Sequence, residues 1–122
     1  MVLKKIPGYD LMKSFAIIFF SVFLFACNNI QTIKVNDAQP IRVKLYKKFR
    51  VNLPEDHRSG YTWQLNEPDN SMVSHFNTVW EGNTNGVYFY FEALKPGLLV
   101  LNFTSRKHDD VNSIKEFSVK IE

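Results

Sequence analysis

The chain has a single cysteine, Cys27, in 122 residues, so no disulfide within one chain can staple its fold. Histidine is scarce as well, with three residues. His57, His75 and His108 are widely spaced, and none has the i, i+4 or C-x-x-C partner that marks a metal site. His108-Asp109-Asp110 is most simply a solvated loop, and no metal or cofactor is expected. An excess of one charge is also missing from the body of the chain. The formal +3 falls to near neutrality from Asn28 onward, where 12 Lys and Arg face 11 Asp and Glu. Without a basic stripe interleaved with aromatics, nucleic acid is not an expected partner. The five glycines and five prolines are scattered along the chain, with neither an internal repeat nor a low-complexity stretch. Gly82 to Gly86 precedes no helical pattern, which argues against a phosphate-cradling loop.

Short alternating runs are what the chain does contain. Ile41, Val43 and Leu45 alternate with Arg42 and Lys44; Phe49, Val51 and Leu53 follow, then Tyr61, Trp63 and Leu65. A looser run covers Met72 to Trp80. Val87, Phe89, Phe91 and Ala93 alternate with Tyr88, Tyr90 and Glu92; the last two runs carry Leu99, Leu101 and Phe103, and Phe117, Val119 and Ile121. Strict alternation gives a strand one buried face. Turn formers separate the runs at Glu67-Pro68-Asp69-Asn70, at Gly82-Asn83-Thr84-Asn85-Gly86 and at Lys95-Pro96-Gly97. Many short strands with regular turns predict an all-β sandwich or barrel over residues 40–122, with Trp63 and Phe103 central in its core.

One segment differs. Ser14 to Phe25 is almost wholly apolar and follows Lys4, Lys5 and Lys13, the pattern of a signal peptide over residues 1–26. It is too short for a comfortable membrane span, which needs roughly 20 residues. It ends at Leu24-Phe25-Ala26-Cys27, which resembles a bacterial lipobox. That resemblance implies lipid on Cys27 and an exported protein on the periplasmic or cell-surface side of a bacterial membrane. Residues 27–39 then read as a tether, with a first strand near Thr32 to Val35.

Asp56-His57-Arg58-Ser59 contains the residue types of a nucleophilic triad, but triad members meet in space and neighbours on a turn point apart. An enzyme is not expected. The same segment joins two alternating strands, and a loop held by a rigid sheet is a recognition device. Leu53-Pro54, Gly60-Tyr61 and Trp63 resemble the first binding loop of the chagasin family of cysteine peptidase inhibitors; Asp56-His57-Arg58-Ser59 stand where that family has Asn-Pro-Thr-Thr. The glycine-rich stretch before Val87-Tyr88-Phe89-Tyr90-Phe91 resembles the second family loop, and Arg106-Lys107-His108 occupies the third.

The resemblance covers nearly all of the chain after the signal. It implies an immunoglobulin-like antiparallel β-sandwich, acting as a monomer, whose three loops block the cleft of a papain-like cysteine peptidase. The first loop would be Asp56, His57, Arg58, Ser59, Gly60 and Tyr61. The second would be Gly82, Asn83, Thr84, Asn85 and Gly86; the third, Arg106, Lys107 and His108. Gly60 would take a positive φ. Arg106 is suited to an acidic or aromatic partner, and His108 to stacking. The rival reading is a lipid-anchored adhesion or assembly module on the same sandwich, with no peptidase target.

Overall fold

The alternating runs become strands in a computed structural model that describes residues 29–122. The signal peptide expected at residues 1–26 and the lipid site expected at Cys27 lie outside the described residues. Eight strands follow in order: β1 (Gln31–Ile33), β2 (Ile41–Val43), β3 (Lys48–Leu53), β4 (Thr62–Leu65), β5 (Val73–Trp80), β6 (Val87–Ala93), β7 (Gly97–Lys107) and β8 (Asp110–Ile121). They form two four-stranded sheets, β1-β3-β6-β5 and β2-β8-β7-β4. The expected all-β sandwich is what the chain forms.

Two details depart from the expected antiparallel plan. β1 runs parallel to β3, and β2 parallel to β8; the other pairings are antiparallel. The strand expected near Thr32 is real, and Ile33 at its end is fully buried in the core. Part of the segment read as a tether is therefore built into the sandwich. Ile33 enters one sheet and Ile41 the other, so the chain crosses between layers before Pro40.

Burial follows the alternation. Along β6, Val87, Phe89, Phe91 and Ala93 are buried, and along β3 Phe49, Val51 and Leu53. A ring pair carries contact between the layers, Phe89 meeting Phe103 at 4.9 Å between centroids, and within the second sheet Phe103 meets Phe117 edge-on at 5.7 Å. Trp63 is only half-buried and packs against this cluster from outside, contrary to its expected central place. Its strand, β4, is a sheet edge, so its inner face has cover on one side only. The looseness of the Met72 to Trp80 run has a similar cause. β5 is the other sheet's edge, and a bulge between His75 and Asn77 leaves Phe76 unpaired and exposed.

Candidate functional site

Three connections meet at one end of the sandwich. The first, between β3 and β4, is a turn of 3-10 helix at His57–Ser59. Asp56 caps it. Its Oδ1 accepts the Arg58 backbone N–H at 2.9 Å, as an N-cap carboxylate does. The Arg58 guanidinium folds back on the same carboxylate, Nη2 to Oδ2 at 2.5 Å and Nε to Oδ1 at 2.9 Å. These bonds, led by the guanidinium, hold the Asp56 carboxyl at about 2, below its usual 3.8. The Ser59 hydroxyl donates to the Asp56 carbonyl at 2.8 Å. Gly60 ends the turn at φ 79°, the left-handed conformation expected of it.

The second connection, between β5 and β6, is a single helical turn, α1 (Gly82–Asn85), where a plain glycine loop was expected. It closes on Gly86, whose φ of 80° and ψ of −154° belong to glycine alone. Space enforces the same choice: a Cβ on Gly86 would lie 2.2 Å from the Leu53 carbonyl oxygen. The second connection is thus pressed against the base of the first. Asn52 strengthens the seam by donating to the carbonyls of Asn85 and Val87 at 2.9 and 3.2 Å.

The third is the hairpin between β7 and β8. Arg106 and Lys107 lie at the end of β7, and only His108 of the expected third loop is at the tip, with φ 54°. The two-residue turn His108-Asp109 ties β7 to β8, with Lys107 opposite Asp110.

These connections are joined by side chains. The His57 ring stacks on Trp80 with centroids 3.7 Å apart and planes 9° from parallel. The His57 N–H donates to Asn83 Oδ1 at 3.0 Å, binding the first loop to α1. On the other side the Tyr61 hydroxyl donates to the Asp110 carboxylate, which raises the phenol's pKa because the neutral form supplies the proton. The Lys107 stem runs beside Gly60.

Beneath them sits Glu55, buried at 7% exposure. One oxygen accepts the Trp63 backbone N–H at 2.6 Å, the other lies 2.8 Å from His57 Nε2, and the Glu55 carbonyl accepts Trp80 Nε1 at 3.1 Å. A buried carboxylate needs such partners. Glu55, Trp80 and Asp110 went unsingled in the sequence because each acts on a residue remote in the chain or on a different strand.

The site's chemistry is that of a shaped surface. His57 turns to Glu55 and Trp80 while the Ser59 hydroxyl goes to the Asp56 carbonyl, so the two are not a nucleophile and base pair. Among the described residues no three His, Cys, Asp or Glu side chains converge to hold a metal. His57 and Arg58, expected in the first blocking loop, also brace it: both keep exposed surface, but each is tied within the loop.

No family model matches the chain, and no curated protein matches it in sequence. Solved structures do. The cysteine protease inhibitor EhICP2 from Entamoeba histolytica superposes with a TM-score of 0.63 over 76% of this chain and 95% of its own, at 14% identity. Amebosin superposes at 0.56 over 78% and 98%, at 12% identity. The sandwich is one that a cysteine protease inhibitor also adopts. At these identities the likeness is one of fold, and it extends over nearly the whole of both solved chains.

Proposed function

We propose that this protein inhibits papain-like cysteine peptidases by filling the target's cleft with its three joined loops, and that it is exported and held on a membrane by lipid on Cys27. One observation carries the inhibitory reading: three connections are locked together at one end of a fold that a cysteine protease inhibitor shares. The resemblance of Leu53-Pro54, Gly60-Tyr61 and Trp63 to a chagasin-type loop supports it independently.

Physics favours inhibition over cleavage. A substrate must present an extended peptide in near-attack geometry. The first loop is instead coiled, with two of its carbonyls occupied: Ser59 N–H donates to the Asp56 carbonyl at 3.1 Å, and Gly60 N–H to that of His57 at 3.2 Å. Loops fixed before binding lose little entropy on docking. An edge built from three of them can supply the roughly 800 Å² per partner of a standard inhibitor interface. Arg58, Thr84 and His108 are exposed along that edge and would meet the target first.

The test is titration of papain and a cathepsin-like enzyme with the full chain. Sub-micromolar inhibition is expected. His108→Gly, which removes the ring and suits the positive φ, should weaken inhibition about tenfold without lowering the melting temperature. Inactivity against several papain-like enzymes would favour the adhesion module. For the anchor, Cys27→Ser should move the protein from membrane to soluble fraction or block its processing. Failure of labelled fatty acid to enter the wild-type protein would refute lipidation.

A further inference from the structure

An open hollow of about 1030 Å³ lies at the end of the sandwich opposite the three loops. β3 joins the two ends: Lys48 at its start lines the hollow, and Leu53 at its finish leads into the first loop. Six residues of strand separate them by roughly 17 Å. Ile30, Arg42, Lys44, Tyr46, Lys47 and Lys48 stand around the hollow. Four of these are cations, and Glu122, the one acid on the rim among the described residues, faces Arg42 at 3.7 Å. Among the described residues Lys44, Lys47 and Lys48 form no ion pair. Lys48 leans on the Phe76 ring at 5.4 Å, which leaves its charge uncancelled.

Between these lysines Tyr46 is 69% exposed. It is not a loose side chain on a loose loop. Its backbone sits at φ 63°, unusual for an aromatic residue, and its N–H donates to the Ala93 carbonyl at 2.8 Å, so the turn holds the ring outward. Ile30, 41% exposed, adds a second apolar group. An exposed amphipathic ring among unpaired lysines matches the interfacial zone of a bilayer, where Tyr sits at headgroup level. The chain also enters the described fold here, at Asn29 and Ile30. Cys27 precedes Asn29 by two residues, a reach of about 7 Å at full extension.

We propose that this end docks on an anionic phospholipid surface, Lys44, Lys47 and Lys48 meeting headgroup phosphates and Tyr46 and Ile30 entering the interface. The proposal uses the anchor at Cys27 and is independent of inhibition. Its consequence is orientation. Lipid on Cys27 alone would let the domain swing, whereas a docked base points the three loops away from the bilayer, toward enzymes in solution.

The full chain, processed by the cell and reconstituted in vesicles, tests it. Tyr46→Trp places a fluorophore at the docking end, while Trp63 and Trp80 report on the far end. In vesicles of brominated phosphatidylglycerol, Tyr46→Trp should gain strongly quenched emission that the wild type lacks. Raised salt should reverse it, because screening shortens the reach of surface charge. Each lysine near an anionic surface contributes roughly a fivefold factor, so Lys44→Gln, Lys47→Gln and Lys48→Gln together should lower the docking equilibrium on the order of 100-fold. All three are exposed, so the variant should melt like wild type. Absent quenching, or equal quenching in brominated phosphatidylcholine, would overturn the proposal. Peptidase inhibition by the same preparations is scored separately, so docking and inhibition can each fail alone.

Discussion

At the scale of single residues, the site depends most on groups that touch no target. Gly86 has both a glycine-only conformation and a backbone carbonyl where its Cβ would go. Gly86→Ala should destabilise by at least about 2 kcal/mol, since strain of this kind costs roughly 1–3 kcal/mol before the Leu53 backbone is displaced. Thermal or urea denaturation would show it, and an unchanged midpoint would mean that the two loops are not pressed together as described. Glu55 is the second such residue. Glu55→Ala leaves the Trp63 N–H without its acceptor and frees His57, and an orphaned buried donor costs about 1–3 kcal/mol. Gly60 was legible in the sequence because a polar turn ending in glycine has few conformations available. Glu55 was not, since its partners Trp63, His57 and Trp80 converge only once two strands and two loops are in place.

At the scale of elements, the first loop should respond to acid. A carboxyl whose pKa is lowered on folding contributes order that is full above its ordinary value and lost as pH falls through the folded one. For Asp56 that window runs from its ordinary 3.8 down to about 2. The protection factor of the Arg58 amide, bonded to Asp56, should therefore hold above about pH 4 and fall progressively toward about pH 2, while those of β6 and β7 amides stay unchanged. An Arg58 amide indifferent to pH across this range would exclude the cap. Strand position sets a second contrast. Phe103 is fully buried in a central strand, so Phe103→Ala should cost about 3–5 kcal/mol. Trp63, half-covered on the edge, should cost roughly 2 kcal/mol. Equilibrium unfolding of the two variants separates them. Alternation in the sequence named both residues correctly as inward-facing, but it carries no sign of which strands become edges. For the same reason it carried no sign that β1 pairs in parallel with β3 and β2 with β8, and it gave only the residue types of α1, whose single turn is shaped by Gly86 against Leu53.

At the scale of the molecule, sheet order has a consequence for the time course of folding. β7 and β8 join through a two-residue turn and pair along nearly their whole length, so they can zip from one end with little loop closure. β2 is different: Ile41 pairs with Val119 and Val43 with Ile121, contacts that span most of the domain. Synthesis delivers β2 early and its sheet partner β8 last. The hairpin should therefore be structured at the rate-limiting barrier while β2 arrives on the downhill side. Leu101→Ala should slow refolding, with a φ-value above about 0.5, and Val43→Ala should mainly quicken unfolding, with a φ-value near zero. Stopped-flow chevrons of the two variants would settle the order. If it holds, β2 is the last strand to close, and a chain lacking its final strand leaves β2 without a place in the sheet.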